Sequence, residues 1–251
     1  MTSLTLHDIS KHFGGVAAVQ NLSMRTEPGT ITGLIGPNGA GKTTIVNLIT
    51  GMLGVTGGRI EFEGRDITAL TARDIARLGV ARTFQNIRLL KEASVIENVV
   101  VGYHRHETSN TIANLFGLRS ARAERADFYE RARKLLALFE MSDYEHHTAA
   151  FLSYGHQRRV EMMRALATDP KLLLLDEPVA GMNDVEGEYL GKIFRRLADD
   201  GISVLLIEHN MRFVRSLCDH VYVVDSGRLI AEGSADYVIN HPDVVQAYLG
   251  T

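Results

Sequence analysis

The run Gly36-Pro37-Asn38-Gly39-Ala40-Gly41-Lys42-Thr43 sets three glycines, a lysine and a hydroxyl at the spacing G-x-x-x-x-G-K-[ST]. The chemistry this pattern supports is phosphate capture. Residues without a Cβ let successive backbone N–H groups turn inward as a nest for anionic oxygens. A helix beginning at Lys42 adds the partial positive charge of its N-terminus. Lys42 is the candidate to reach the β- and γ-phosphates, and the Thr43 hydroxyl is a candidate Mg²⁺ ligand. Gly36, Asn38, Gly39, Ala40, Gly41 and Thr44 complete the candidate nucleotide contacts.

A second segment carries carboxylates. "LLLLDEP" reads as a buried strand that delivers Asp176 at its C-terminal end, the edge where open α/β sheets bind ligands. Asp176 is a candidate Mg²⁺ ligand through water. Glu177, next to it at the rim, is placed to polarise a water for attack on a γ-phosphate; without the glycine loop it would read as a loop carboxylate or a helix cap. His209 follows the strand "SVLLIE" as Asp176 follows its own, so the same edge should present it, either as a γ-phosphate sensor or as a solvated turn residue. "LSYGHQRRVEMMRAL", Leu152 to Leu166, supplies a second anion site: Ser153 reads as a helix cap, Gly155 allows close approach, and Val160, Met163 and Ala167 recur at helical spacing.

The elements that must hold these residues are legible from periodicity. "LTLHDI" alternates, "FGG" and "EPGT" are turns, and "ITGLIG" is a buried strand ending on glycine. The helix after Lys42 should bury Ile45, Leu48 and Ile49. "GRIEFEGRDIT" reads as a hairpin turning at Gly64, and "VYVVDSGRLIAEG" as another turning at Asp225 to Gly227. Between Asn86 and Leu152 the texture is helical: "RAERADFYERARKLLALFEM" predicts a stripe of Phe128, Ala132, Leu135 and Phe139. "KLLLLDEP" and "GISVLLIEH", separated by the helical "VEGEYLGKIFRRLADD", form a β-α-β unit and predict a parallel sheet.

Composition narrows the class. The 251 residues are 45% hydrophobic and 23% charged, enough for a buried core. A net charge of −3 without a long Lys/Arg block argues against a nucleic-acid partner. The single cysteine, Cys218, lies in an apolar stretch and reads as a packed small hydrophobe in a reducing compartment. The longest apolar runs are strand-sized, far short of the ~20 residues of a membrane span, and the first residues lack a secretory-signal pattern, so a cytosolic setting is expected.

The order of these pieces, with an aromatic turn at Phe13 and a glutamine at Gln85, resembles the ATP-binding subunits of ABC transporters over nearly the whole chain. "FGGVAAVQNLS", "ARTFQNIRLL", "LSYGHQRRVEMMRAL", "LLIEHNM" and the tail "LIAEGSADYVINHPDVVQAYLG" are most similar to the subunits that energise branched-chain amino-acid importers. The resemblance implies an α/β P-loop NTPase of ABC type, with a mostly parallel core sheet, an antiparallel β subdomain and a helical subdomain. The ATP-binding core would span 1–85 and 166–251, and the helical subdomain 86–165. ATP and Mg²⁺ are the implied cofactors. Phe13 would stack on adenine and Val16 would lie against the nucleoside. Gln85 would touch Mg²⁺ or the attacking water and report nucleotide state to a membrane partner docking near Asn86 to Val95. Ser153 and Gly155 would contact the γ-phosphate held by a second ATP-binding subunit, identical or related, in a head-to-tail dimer. The other implied partners are two transmembrane permease subunits and, indirectly, a periplasmic substrate-binding protein, with the chain on the cytoplasmic face of the inner membrane.

Three positions depart from the family pattern: Tyr154 for a glycine, His156 for a glutamine, and Asn183, followed by Asp184, for an aspartate. A histidine at a phosphate-facing helix start would make assembly mildly pH-dependent; as a surface substitution it would not. Other classes fit less well. DNA-repair relatives insert a long coiled coil where only Asn86 to Leu152 is available, translation factors carry two motif sets, and a P-loop kinase would need an acceptor pocket and lid. Urea, other amino acids or lipid-linked sugar export remain alternative transport tasks.

Overall fold

The computed structural model describes residues 3–83, 87–108 and 119–249. The chain divides into two compact units, one built from 1–82 with 171–251 and the other from 83–170.

The first unit holds ten strands in two sheets: β1 (Leu4–Phe13), β2 (Val16–Thr26), β3 (Ile31–Ile35), β4 (Gly57–Phe62), β5 (Arg65–Asp66), β6 (Val80–Arg82), β7 (Leu172–Asp176), β8 (Ser203–Ile207), β9 (His220–Asp225) and β10 (Arg228–Gly233). Antiparallel strands run in the order β2-β1-β4-β5, and a second sheet runs β10-β9-β3-β8-β7-β6. In that second sheet every neighbouring pair is parallel except β10 against β9. Every residue of β3, β7 and β8 is buried, which is why these strands are continuous apolar runs rather than alternating ones. Both expected hairpins form. Their turns place Glu63-Gly64 and Ser226-Gly227 at positive φ, the primed geometry that matches strand twist.

Helices α1 (Lys42–Ile49), α2 (Ala72–Leu78), α6 (Asp184–Asp199), α7 (Met211–Leu217), α8 (Ala235–Ile239) and α9 (Pro242–Leu249) belong to this unit. Helix α1 buries Ile45, Val46, Leu48 and Ile49 in one core with Leu6, Ile60, Leu174 and Leu205, so both sheets grip the helix behind the glycine loop. Because β3, β8 and β7 are adjacent and parallel, the segments after them leave the sheet at one edge. Gly36, Glu177 and Glu208 each begin such a segment.

The second unit contains α3 (Val95–Val100), α4 (Arg119–Leu138) and α5 (Tyr154–Leu166). Helix α3 opens on a reciprocal capping box between Ser94 and Glu97. Helix α4 buries Phe128, Ala132 and Leu136, whereas Leu135, expected on that stripe, is half-buried. The stripe is set by i, i+4, i+8 from Phe128, and Phe139, one residue past the helix end but still donating to the Leu135 carbonyl at 3.0 Å, is buried on the same face. Gly102 lets the chain after α3 touch α5: a Cβ there would lie 2.4 Å from the Arg164 carbonyl oxygen. Among the described residues no helix is long and apolar enough to cross a membrane.

Candidate nucleotide site

The glycine loop connects β3 to α1, and its three glycines do different things. A Cβ on Gly36 would lie 2.0 Å from the Val224 carbonyl oxygen, and one on Gly41 would lie 2.7 Å from that of Ala18. Those two glycines are demanded by backbone walls behind the loop, not by a ligand in front of it. Gly39, at φ 81°, has nothing within 4 Å of its would-be Cβ, so its bare face opens outward, as do the exposed Asn38 and Thr43. The Gly227 N–H donates to the Ala40 carbonyl at 3.0 Å, so the β9–β10 turn clamps the loop from behind. Gly41 caps α1 in the left-handed region with no side-chain bond, and the first turn carries no acidic residue. The first-turn N–H groups therefore stay available to an anion.

Lys42 folds its ammonium back into the loop, donating to the Gly36 and Pro37 carbonyls at 2.6 and 2.8 Å. Burial lowers its pKa, and the nearby carboxylates of Glu177 and Asp176 oppose that shift. Asp176 is buried at the end of β7, and its Oδ2 accepts from Arg82 Nη2 at 3.0 Å. The other guanidinium nitrogen, Nη1, donates to Asn47 Oδ1 at 2.6 Å. Sequence reasoning missed Arg82 and Asn47, since nothing local links them to a carboxylate 94 positions from Arg82.

Glu177 takes the left-handed φ of 49°, which a non-glycine residue adopts at a cost of ~1–2 kcal/mol. Its N–H donates to the Ile207 carbonyl at 2.9 Å, and Oε1 lies 3.3 Å from His209 Nδ1. His209 is a mostly exposed side chain on the shared edge, where the sequence put it. Glu208, which the sequence reading passed over, is buried. Burial pushes its carboxyl above the ordinary carboxylate range, against the pull of three backbone N–H donors.

Phe13 and Val16 pair across the Gly14-Gly15 turn at the tip of β1 and β2, both exposed, with the Lys11 ammonium 5.2 Å from the Phe13 ring centre. An apolar pair left open at a strand tip suits a planar base. The same β2 supplies Ala18, whose carbonyl backs Gly41, so tip and loop share one strand.

Asp176, Glu177 and His209 are thus gathered with the loop residues Gly36, Asn38, Gly39, Ala40, Gly41, Lys42, Thr43 and Thr44. Gln85 lies outside the described residues. Ser153 and Gly155 belong to the second unit, where Ser153 caps α5: its Oγ accepts the His156 N–H at 3.3 Å. Val160, Met163 and Ala167 are buried as the spacing predicts. The His156 ring packs 4.4 Å from that of Tyr144, so it is half-buried rather than a free surface residue. Asn183 caps α6 through a reciprocal box with Glu186. Arg158 and Glu161 form a buried pair on α5, 3.3 Å apart.

The donor set fits a magnesium nucleotide. Thr43 and Asp176 are hard oxygen donors, and among the described residues no three His, Cys, Asp or Glu side chains cluster as a metal cage. That is the composition expected for Mg²⁺ held by one or two protein oxygens together with phosphate.

A glycine loop between a buried strand and a helix, with a carboxylate at the end of a parallel strand two places along the same sheet, defines a P-loop nucleotide-binding domain. Residues 19–180 match the ABC transporter family model. The chain is 40% identical to the high-affinity branched-chain amino acid transport ATP-binding protein BraF of Pseudomonas aeruginosa, covering 98% of this chain and 97% of that one. It is 39% identical, over the same shares, to LivG of Escherichia coli strain K12, which bears the same description. Two crystal structures of an ATP-binding cassette from an ABC transporter, one nucleotide-free and one in its ADP conformation, each superpose with a TM-score of 0.87 at 35% identity over 100% of both chains. The chain belongs to the ABC transporter ATP-binding family.

Proposed function

We propose that this chain binds and hydrolyses ATP to energise a membrane transporter that imports branched-chain amino acids. The observation that carries the catalytic part is the meeting of Glu177, His209, Asp176 and Lys42 at one sheet edge beside the glycine loop. Glu177 holds and polarises the attacking water, and His209, 3.3 Å from it, orients Glu177 and contacts the γ-phosphate. Lys42 exchanges its two carbonyl partners for phosphate oxygens, which carry full charge and bind it more strongly. Thr43 and Asp176 hold Mg²⁺, which when bound neutralises charge on the phosphates. Phe13 and Val16 receive the nucleoside, and Gln85 senses the metal or the water.

The names of BraF and LivG support the cargo, and their match over nearly the full chain supports the same kind of assembly: a second ATP-binding subunit, two permeases in the inner membrane and, through them, a periplasmic binding protein. The Ser153-capped tip of α5, with Gly155 behind it, closes over the γ-phosphate held by the second subunit. Two such sites form only when two subunits meet, so ATP stabilises the closed dimer and hydrolysis releases it.

The test is Glu177→Gln. It should cost ~10²–10⁴ in MgATP turnover and leave nucleotide affinity near that of the wild type. Full turnover by that variant removes Glu177 from the chemistry. In parallel, Ser153→Arg should abolish hydrolysis with ATP binding retained, and unchanged turnover there refutes the shared site.

A further inference from the structure

We infer that Glu208 is a positioning residue that locks the Glu177 and His209 segments together beyond the end of the β7–β8 ladder. The inference rests on the reading of Glu177 and His209 given above and deepens it. The ladder pairs Asp176 with Ile207, and one further bond joins the Glu177 N–H to the Ile207 carbonyl. Past that point the two chains diverge, one toward α6 and the other toward α7. The Glu208 carboxylate continues the connection where the backbone no longer can. Its Oε1 accepts the Val179 N–H at 3.4 Å, while Oε2 accepts those of His209 at 3.1 Å and Asn210 at 3.4 Å.

The three donors bracket the reacting groups. Glu177 lies between Asp176, fixed by the ladder, and Val179, fixed by Glu208. His209 lies between Ile207 and Asn210, which are fixed in the same two ways. Asn210 also caps α7 by accepting the Phe213 N–H at 3.1 Å, so the far side of the bridge is anchored to a helix. The product of this bracing is the 3.3 Å approach of His209 Nδ1 to Glu177 Oε1, made although Glu177 holds a strained φ and His209 is mostly exposed.

A carboxylate is the side chain suited to the task. The three backbone partners are N–H donors, His209 Nδ1 lies 4.0 Å from Oε2, and an ionised carboxylate offers four acceptor sites and no donor. Glutamine keeps the shape but turns an NH₂ group toward one set of N–H donors. A buried apolar residue would pack there at lower desolvation cost, so packing alone does not account for the charge. Glu208 is buried, and its contacts are with the two segments it joins, so its effect passes through them.

The test compares Glu208→Gln and Glu208→Ala in the full-length protein, each also combined with His209→Ala. Two readouts are needed: MgATP kinetics, and hydrogen exchange at the Val179, His209 and Asn210 amides. Glu208→Gln should lower kcat by about 10²-fold, the scale of a misplacement of ~1 Å, with the KM for ATP within about twofold of the wild type. The three amides should lose protection together while those inside β7 and β8 keep theirs. In the His209→Ala background the Glu208 substitutions should cost less than in the wild type, since one of the two groups they position is gone. Wild-type kcat in Glu208→Gln, protection lost on one segment only, or losses that multiply in the double variants would each overturn the proposal. Full turnover in Glu177→Gln marks failure of the catalytic reading instead. If Glu177→Gln is impaired and Glu208→Gln is not, the positioning role alone falls.

Discussion

Replacing single loop glycines by alanine separates the part of the phosphate cradle that the fold demands from the part left for a ligand. At Gly36 the added Cβ would lie 2.0 Å from the Val224 carbonyl oxygen, against the 3.0 Å below which real Cβ atoms are essentially never found, so loop or strand must move by about 1 Å. Val224 is fully buried in β9 and hydrogen-bonded into the hairpin, so the motion must come from the loop. Overpacking of this kind costs ~1–3 kcal/mol. The φ of 154°, unfavourable to any side chain, adds a further ~1–3 kcal/mol. At roughly 2–4 °C per kcal/mol for a chain of this size, Gly36→Ala should melt some 4–24 °C below the wild type. Gly39→Ala meets no atom within 4 Å and bears only the left-handed backbone term of ~1–2 kcal/mol. It should melt within a few degrees of the wild type yet bind MgATP at least tenfold more weakly, because its methyl enters the face the loop presents outward. Thermal melts without nucleotide and calorimetric titration with MgATP measure both. A Gly39→Ala protein with undiminished affinity, or a Gly36→Ala protein with an unchanged melt, refutes the division of labour.

Arg82→Met takes the Arg82 guanidinium away from the buried Asp176 carboxylate and should destabilise by ~3–5 kcal/mol in urea unfolding. Adding Asp176→Asn should recover much of that loss; additive costs would mean the pair is not coupled. Burial pushes the Cys218 thiol from its ordinary 9.0 up to about 12. The native state therefore keeps a proton that the unfolded chain releases, and stability should fall as pH rises from about 9 toward 12. Cys218→Ala should flatten the first part of that limb, before the buried hydroxyls of Tyr103 and Tyr248, pushed up to about 12, contribute from about 10 upward; an identical slope in the variant counts against the thiol. Asn183→Ala removes the α6 cap and should cost ~1 kcal/mol in unfolding free energy, whereas Asn183→Asp should be close to neutral because aspartate caps equally well.

What the sequence made legible is what local pattern encodes. The loop, the strand ending on Asp176, the hairpins and the Ser153 cap are each written within a few residues, by glycine spacing, unbroken hydrophobicity or a capping hydroxyl. The edge shared by Asp176 and His209 followed from one further step, that two buried strands joined by a helix lie parallel. Partners far apart in the chain left no such mark: Arg82 reads as one more residue before a glutamine until β6 and β7 are paired. Glu208 was hidden differently. A carboxylate directly after a strand looks like a solvated rim residue, and its burial against the Val179 and Asn210 backbone is a tertiary outcome that no period reports. The Leu135 expectation failed because two adjacent leucines lie 100° apart on a helix, and only the packing of α4 decides which faces inward.

The buried charges lead to the same places by a route independent of motif spacing. Among the described residues the buried charged ones are Arg158, Glu161, Asp176 and Glu208. Two stand at the strand ends beside the glycine loop, and two stand on the helix that Ser153 caps. Burying charge is expensive, and a well-packed apolar residue is often as stable or more so. Selection for stability alone would therefore have no reason to concentrate all four in these two short segments. Groups that must hold a geometry while a polyanion arrives do have one, since a paired or multiply bonded charge fixes orientation where dispersion contacts permit sliding. On the proposed reading of Ser153, Arg158 and Glu161 would do for the tip of α5 what Glu208 would do for the Glu177–His209 edge: a buried pair 3.3 Å apart holds the helix end in one orientation.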